Sequence, residues 1–291
     1  MSVRLRLTPR QWVWRCVKFF LFIYFGVFAA LLLLQRQLIY PADIAALRGP
    51  LKNPVDYGLE GFKEITLITA DNVKLIAWIH LPKPQMPIVL YLHGNGMYLS
   101  GRAARYQALA DAGFGVMALS WRGYGRSEGT PSEEGFYTDA RTAIEYLKRG
   151  TAPIIVFGES IGTGPAIQMA TEYPLAGLVL QAAYTSIPER VREIYWFFPI
   201  PSVLIRDHFD SLSKIARVKA PVLFFHGDQD HVIPLAHGQK LFAAATARKA
   251  LVVVQGADHL DIPDAQVVSS MQDFFIVPAS GSAISSPHPQ P

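Results

Sequence analysis

The hydrophobic pattern begins with a long apolar run near the N-terminus. Residues 19–34 carry no charge, and with residues 16–18 the run reaches nineteen residues, close to the ~20 that an α-helix needs to cross the apolar core of a bilayer. Lys18 can extend its ammonium group toward the interface. A buried core helix is a weaker explanation, because a helix that is apolar on every face needs lipid or a large protein around it. The pattern therefore predicts one transmembrane helix.

The charges around this run predict its orientation. Five basic residues precede residue 19 and only Arg36 closely follows the run, while Trp12 and Trp14 lie where interfacial aromatic residues are expected. This asymmetry predicts membrane contact through residues 12–36, a cytoplasmic N-terminus and an extracytoplasmic remainder, periplasmic in a bacterium. A cleaved signal peptide is the alternative, but its apolar region is usually ~7–15 residues long and ends in small residues. Because this run ends in four leucines, an uncleaved signal-anchor is favoured.

The periodicity changes beyond residue 61. Residues 62–70 and 73–81 alternate apolar and polar positions about Asp71-Asn72, which predicts an antiparallel hairpin at one edge of a sheet. Short apolar segments then alternate with helical ones, which predicts an α/β fold with one doubly wound, mostly parallel sheet. The predicted strands cover residues 88–93, 115–120, 154–157, 178–181, 222–226 and 251–255, and the predicted helices residues 98–112, 132–149, 161–173, 235–247 and 264–275.

These patterns divide the chain into segments. We expect a basic N-terminus and transmembrane anchor at 1–36, a connector at 37–61, an α/β domain at 62–278 with a cap insert at about 184–218, and a disordered, Ser- and Pro-rich tail at 279–291. The first segment holds six Lys or Arg and no acid, so the remainder holds 21 basic and 23 acidic residues, a formal charge of −2. The overall charge of +4 therefore belongs to the anchor and predicts no nucleic-acid partner. Cys16 is the only cysteine, so no intrachain disulfide can form.

A serine between two glycines is the first candidate for chemistry. The apolar strand at 154–157 runs into Gly158-Glu159-Ser160-Ile161-Gly162 and then into a helix. Gly158 and Gly162 occupy positions where a side chain would collide with the strand and helix of a tight turn. Strand, serine turn and helix in this order predict a nucleophile elbow, which holds Ser160 Oγ clear of the sheet and directs the helix N-terminus toward it. The alternative is an ordinary strand-to-helix turn.

A nucleophilic serine needs a histidine to accept its proton and a carboxylate to orient that histidine. Both residue types follow later strands, and the carboxyl ends of parallel strands share one edge of the sheet. His259 follows the strand at 251–255, while Asp228 and Asp230 follow the strand at 222–226. Asp228 lies nearer the strand end, where short polar side chains often cap their own loop. We therefore assign Asp230 as the acid, and Ser160, Asp230 and His259 follow the chain order of this type of hydrolytic site.

An oxyanion formed at Ser160 needs two backbone N–H donors. One is expected from Ile161, the residue after the nucleophile, and the other from the loop after the strand at 88–93, which contains Gly94, Asn95 and Gly96. Glycines there let the backbone turn its N–H groups inward, and the Asn95 amide is the predicted donor. His93 is expected to be a structural hydrogen-bonding residue, because this loop serves the oxyanion side.

Five short motifs at predicted strand ends and turns form a set: Leu92-His93-Gly94-Asn95-Gly96, Arg122-Gly123-Tyr124-Gly125-Arg126-Ser127, Gly158-Glu159-Ser160-Ile161-Gly162, His226-Gly227-Asp228-Gln229-Asp230 and Gly256-Ala257-Asp258-His259. Together they resemble the motifs of the α/β-hydrolase superfamily. More narrowly, the N-terminal span followed by Leu38-Ile39-Tyr40-Pro41 resembles the bud-emergence-type membrane-anchored hydrolases, relatives of eukaryotic abhydrolase-domain depalmitoylases. The resemblance extends over residues 38–275 and implies an α/β-hydrolase fold with a short cap, with Asp230 as the acid of the triad.

The resemblance implies hydrolysis of a carboxylic ester or thioester through an acyl-enzyme, without a metal or cofactor. The expected substrate is a small-molecule or lipid-like acyl ester. Two other classes of function stay open at this point. One is a peptidase or amidase that uses the same triad, and the other is a catalytically silent binding protein on a hydrolase fold. The presence of all three triad residues argues against the silent protein.

An aromatic run lies in the connection of about forty residues between the strands at 178–181 and 222–226, where hydrolases of this fold insert a cap. Tyr195, Trp196 and Phe197 follow one another there. They either pack the cap onto the sheet, as clustered aromatic residues usually do, or line an acyl pocket that faces the bilayer. The second hypothesis makes these three residues part of the substrate pocket.

Overall fold

One eight-stranded sheet organises the protein, whose computed structural model describes residues 8–42, 51–95 and 99–276. The strand order is β1-β2-β4-β3-β5-β6-β7-β8. β1 and β2 form the predicted antiparallel hairpin at one edge, β2 is antiparallel to β4, and the remaining neighbours are parallel. The strands are β1 (Lys63–Ile68), β2 (Lys74–His80), β3 (Ile88–Leu92), β4 (Gly115–Leu119), β5 (Ile154–Glu159), β6 (Gly177–Gln181), β7 (Val222–Gly227) and β8 (Lys249–Val254).

Burial along the strands follows their positions in the sheet. Every residue of β3, β4 and β6 is buried, as expected for parallel strands that are covered on both faces. The edge strand β1 is largely exposed. In the centre, Leu90 of β3 lies between Met117 of β4 and Val156 of β5. The continuous apolar runs of the sequence thus form the middle of the core.

Helices connect the strands and cover both faces of the sheet. The crossover from β3 to β4 moves toward one edge, whereas the later crossovers move toward the other, and right-handed crossovers in opposite directions place their helices on opposite faces. The described helices are α1 (Pro9–Leu33), α2 (Gln35–Ile39), α3 (Ala103–Asp111), α4 (Glu133–Leu147), α5 (Thr163–Glu172), α6 (Ile187–Ile194), α7 (Ser211–Ile215), α8 (Leu235–Ala244) and α9 (Asp264–Phe275). Accordingly, α3 packs against α9, while α4, α5, α7 and α8 pack side by side. The predicted mostly parallel α/β fold is confirmed.

The N-terminal helix α1 is long and apolar enough to cross a membrane, with a mean hydropathy of 2.4 over its best 18-residue stretch and no buried residue. Its start is fixed by Thr8, whose hydroxyl accepts the Gln11 N–H while the Gln11 side chain accepts the Thr8 N–H. The helix ends at Leu33, and α2 follows after a break at Leu34.

The segment predicted as a connector contributes to the core of the α/β domain. Tyr40, Leu51 and Leu59 are buried in it, and the Tyr40 ring lies 5.2 Å from Phe136 in an edge-on contact. The predicted cap contains α6 and α7, which the sequence pattern did not reveal. The predicted tail at 279–291 lies outside the described residues.

Candidate active site

The nucleophile elbow is built by small residues around Ser160. Ser160 has a φ of 53°, a left-handed conformation that is strained for a residue with a side chain. A Cβ on Gly162 would lie 2.1 Å from the Leu92 carbonyl oxygen, and one on Gly158 would lie 2.7 Å from the Gly162 carbonyl oxygen. Neither contact is possible, so only glycine fits at these positions. The turn continues into α5 and presents Ser160 at the carboxyl end of β5, beside β3, where the direction of the crossovers reverses.

The structure brings Ser160, His259 and Asp230 together. His259 Nε2 lies 2.9 Å from Ser160 Oγ, and His259 Nδ1 lies 2.8 Å from Asp230 Oδ2. The other oxygen of Asp230, Oδ1, accepts the N–H groups of Val232 at 2.9 Å and Ile233 at 2.7 Å. These two bonds fix the Asp230 carboxylate so that Oδ2 can accept the N–H of His259 Nδ1. His259 Nε2 is then unprotonated and can take a proton from the serine.

The neighbouring aspartates have other partners. Asp228 Oδ1 accepts the Gly256 N–H at 2.7 Å, so this side chain joins the loops after β7 and β8. Asp258 accepts the N–H groups of His231 and His259, and these backbone hydrogen bonds lower the pKa of its exposed carboxyl group. Both aspartates shape the loop that carries His259, and neither orients its ring.

The two predicted oxyanion donors lie at the same cavity as Ser160. Ile161 belongs to the 3-10 turn Ser160–Gly162, and the first N–H groups of such a turn have no partner within it. Asn95 follows the end of β3, and both residues line the cavity. The Asn95 side chain is fixed from two sides, because its NH2 group donates to the Ile39 carbonyl and its Oδ1 accepts the Tyr124 hydroxyl at 2.7 Å. Nothing in the sequence indicated the contact with Ile39.

The cavity has a volume of about 280 Å³ and is mainly apolar. Its walls come from three parts of the chain: the end of α1 with α2, the cap with α6, and the loop after β7. The described lining residues are Leu31, Leu32, Gln35, Leu38, Ile39, Asn95, Ser160, Ile161, Tyr184, Ile187, Arg190, Val191, Ile194, Tyr195, Ile200, Ile205, Val232 and Ile233.

The aromatic run is divided by the end of α6. Tyr195 lines the cavity, but Trp196 and Phe197 are directed away from it and are 78% and 51% exposed. Of the three residues predicted for the substrate pocket, the cavity beside Ser160 is therefore lined by Tyr195 alone, and a role of Tyr195 in substrate binding stays a prediction. The reason is the chain reversal after Ile194, which turns the following side chains toward α1: Phe198 packs on Tyr24 with a ring separation of 4.7 Å.

A buried polar network lies beneath the elbow. Glu159, the residue before the nucleophile, accepts the Tyr91 hydroxyl at 2.7 Å and forms an ion pair of 2.7 Å with Arg102. Burial alone would raise the pKa of Glu159, but the charge of Arg102 and the hydrogen bond from Tyr91 hold it below its usual value. Glu159 thus anchors the end of β5 as a buried carboxylate.

Arg105 extends this network to the histidine loop. Its guanidinium is buried and donates to Asp264 at 2.5 Å, to the Ile262 carbonyl at 2.7 Å and to the Gln181 side chain. Ile262 and Asp264 follow His259 closely in the sequence, and Gln181 ends β6, so Arg105 ties the histidine loop to the end of β6. A single arginine in an amphipathic helix gave no sequence signal for this role.

His93 is placed as a structural residue, as its position in the sequence suggested. It is buried, and its Nδ1 lies 2.7 Å from the Gly94 carbonyl oxygen. Burial lowers the pKa of His93 to about 4, so the ring is neutral at ordinary pH. Within residues 8–42, 51–95 and 99–276, no three His, Cys, Asp or Glu side chains are grouped so that they could hold a metal ion.

Relatives of known sequence match most of the chain. Residues 83–212 match the family described as serine aminopeptidase, S33. An uncharacterised protein of Mycobacterium tuberculosis is 36% identical over 233 residues, which cover 78% of this chain and 81% of that protein. The lysophosphatidylserine lipase ABHD12 of Macaca fascicularis is 30% identical over 294 residues, which cover 83% of this chain and 73% of the lipase.

Solved structures share the fold at lower identity. The esterase Pf2001 of Pyrococcus furiosus matches with a TM-score of 0.62 and 20% identity, over 77% of this chain and 96% of that chain. The esterase EaEST of Exiguobacterium antarcticum matches with a TM-score of 0.60 and 15% identity, over 74% and 100%. The resemblance predicted from the motifs is confirmed: this chain belongs to the α/β-hydrolase superfamily and is a serine hydrolase related to the ABHD proteins.

Proposed function

We propose that the protein is a membrane-anchored ester hydrolase in which Ser160 is the nucleophile, His259 the general base and Asp230 the residue that orients His259. The observation that carries this proposal is the continuous chain of hydrogen bonds from Asp230 through His259 to Ser160 Oγ, which ends at an apolar cavity. A serine hydroxyl is a weak nucleophile unless such a base removes its proton. A catalytically silent binding protein would have no need of this alignment.

The geometry supports a two-step reaction. Ser160 Oγ attacks the substrate carbonyl carbon as the hydroxyl proton moves to His259 Nε2. The oxyanion that forms accepts hydrogen bonds from the backbone N–H groups of Ile161 and Asn95. His259 then gives the proton to the departing alcohol or thiol, which leaves an acyl-enzyme. A water molecule attacks the acyl group while His259 takes its proton. His259 then returns this proton to Ser160 Oγ as the bond between Oγ and the acyl carbon breaks, which releases the acid and restores Ser160.

The cavity favours an acyl ester over a peptide. Most of its described lining side chains are aliphatic, and Arg190 is the one charged group among them. The guanidinium of Arg190 already donates to Glu193 and to the Val232 carbonyl at 2.6 Å. An apolar chain therefore finds matching surroundings, whereas the backbone amides of a peptide would find few partners. The relatives named as lysophosphatidylserine lipases act on such an ester, which supports the same substrate class here.

The first test replaces the nucleophile. We expect Ser160→Ala to lower hydrolysis of p-nitrophenyl esters by several orders of magnitude, and to abolish labelling by a fluorophosphonate probe, with little change in melting temperature. The exposed Ser269 provides the control, because its hydroxyl contacts only the Gln266 carbonyl; Ser269→Ala should keep full activity. Most of the activity remaining in Ser160→Ala would contradict the proposal. Faster cleavage of p-nitroanilides than of esters would instead favour a peptidase.

We also propose that α1 spans the bilayer with Met1 in the cytoplasm and Ser160 on the opposite side. The basic excess before the apolar run supports this orientation. Reporter fusions after Gln35 and after Phe275 should both report the extracytoplasmic side. A mature protein whose sequence begins near residue 35 would show that the run is a cleaved signal peptide.

A further inference from the structure

We propose that the end of the anchor is part of the acyl-binding site: the substrate's acyl chain lies between the α1–α2 junction and α6, with its ester at Ser160. This inference rests on the proposed hydrolase function. The anchor would then select long acyl chains in addition to holding the domain at the membrane.

One wall of the cavity is made by the anchor. Leu31 and Leu32 at the end of α1 and Leu38 and Ile39 of α2 line it. The opposite wall comes from α6 and Tyr195, and Ser160 lies at the same cavity. Without the anchor residues, the apolar side of the cap would face water beside the nucleophile.

The two faces of the anchor end have different environments. Leu31 and Leu32 are half-buried toward the cavity, whereas Leu33 is 71% and Leu34 51% exposed. With α1 in a bilayer, the exposed leucines contact lipid and the inner leucines contact the cavity. Apolar surface is then continuous from the bilayer to Ser160, so an acyl chain can move along it without exposure to water.

Directional contacts hold this wall in place. Arg36 forms two hydrogen bonds with Asp207, of 2.8 and 3.1 Å, and Asp207 is 2% exposed. Gln35 donates to the Leu204 carbonyl at 3.2 Å and accepts the Arg206 N–H at 2.7 Å. These bonds join the anchor end to the cap at fixed positions, as a binding wall requires.

A further contact joins the wall to the reaction site. The Asn95 side chain donates to the carbonyl of Ile39 in α2, and the Asn95 backbone is a proposed oxyanion donor. Chain binding against α2 and alignment of the ester are thus linked through one residue. The occupant is a long acyl chain because every side chain that the α1–α2 segment contributes, except Gln35, is aliphatic.

The test narrows the cavity from the anchor side. Full-length protein in detergent micelles is assayed with p-nitrophenyl acetate and p-nitrophenyl laurate. Leu32→Trp should lower kcat/KM for laurate by about tenfold or more, the scale on which apolar pockets discriminate between chains, and leave acetate within about twofold. Leu31→Trp should act in the same way. The matched control is the adjacent Leu33→Trp, which adds the same ring to the outer face and should change neither substrate.

The outcomes separate this inference from the proposed function. The inference would be overturned if Leu31→Trp and Leu32→Trp lowered the hydrolysis of both esters equally. It would also be overturned if either variant kept fluorophosphonate labelling, the wild-type melting temperature and unchanged laurate hydrolysis. Acetate hydrolysis that survives Ser160→Ala would refute the proposed function and the inference with it. A laurate-specific loss at positions 31 and 32 but not at 33 would support both.

Discussion

Replacing Asp230 by asparagine tests which residue orients His259. Asp230 Oδ1 accepts two backbone N–H groups, from Val232 and Ile233, while Oδ2 faces His259 Nδ1. An asparagine must place its carbonyl oxygen at the Oδ1 position, because an NH2 group there would meet two donors. Its NH2 group then faces His259 Nδ1 and can only donate to it. The histidine proton moves to Nε2, where it blocks acceptance of the Ser160 proton.

The expected loss is large because the base is in the wrong tautomer in the resting enzyme. For a triad of this geometry the loss in kcat is about 10³–10⁴-fold, which corresponds to about 4–5 kcal/mol of transition-state stabilisation. The fold should be little affected, since the two backbone donors keep an acceptor. We would measure kcat/KM with p-nitrophenyl acetate and the melting temperature of the same preparations.

Asp228→Asn is the matched control. Its Oδ1 accepts one N–H, from Gly256 at 2.7 Å, and the asparagine carbonyl can replace that acceptor. We expect kcat/KM within about threefold of the original enzyme, because only the charge of a loop residue changes. A greater loss in Asp228→Asn than in Asp230→Asn, or more than a tenth of the activity retained by Asp230→Asn, would refute the assignment.

Three further substitutions test the supporting structure. Gly162→Ala should abolish folding or activity because its Cβ would overlap the backbone of β3, whereas Gly150→Ala, whose nearest contact is 3.5 Å, should be tolerated in expression and esterase assays. Burial lowers the pKa of His93 to about 4, so His93 takes up a proton at a higher pH in the unfolded chain than in the folded protein. The free energy of unfolding should therefore fall as pH falls from ~6.5 to 4. Denaturant titrations should show that His93→Asn removes about 3 kcal/mol of this pH-dependent loss. Arg105→Lys should lower the free energy of unfolding by about 2–4 kcal/mol, because lysine cannot satisfy three buried acceptors; an unchanged value in urea titration would contradict the role of Arg105.

The parts of this structure that were predicted from the sequence depend on local patterns. Continuous apolar runs located the buried strands, and the glycines around Ser160 located the elbow, because these signals arise within a few residues. The pairing of Asp230 with His259 was predicted from two strand ends and the rule that parallel strands share a carboxyl edge. The choice between Asp228 and Asp230 stays a prediction until the asparagine variants are measured.

The parts that were not predicted depend on contacts between distant segments. The direction of Trp196 and Phe197 is set by where α6 ends and by the packing of Phe198 on α1, and no periodicity records either. The three bonds of Arg105 reach residues between 76 and 159 positions away. A sequence read segment by segment places each residue on its own element, but the partner on another element remains unknown.

The anchor contacts have a consequence for where the chemistry takes place. From Leu31 to Ile39 the chain advances at most roughly 12 Å at the 1.5 Å rise of a helix, and both residues line the cavity that contains Ser160. If α1 spans a bilayer as proposed, we expect Ser160 to lie close to the headgroup layer, because the end of α1 lines the same cavity as the nucleophile. A flexible tether would leave the distance between site and membrane variable. The ion pair between Arg36 and the buried Asp207 instead fixes it, because separating these groups would leave a buried carboxylate without its cation. On the proposed membrane anchoring, the contacts of α1 and α2 would thus set the depth at which a substrate meets the nucleophile.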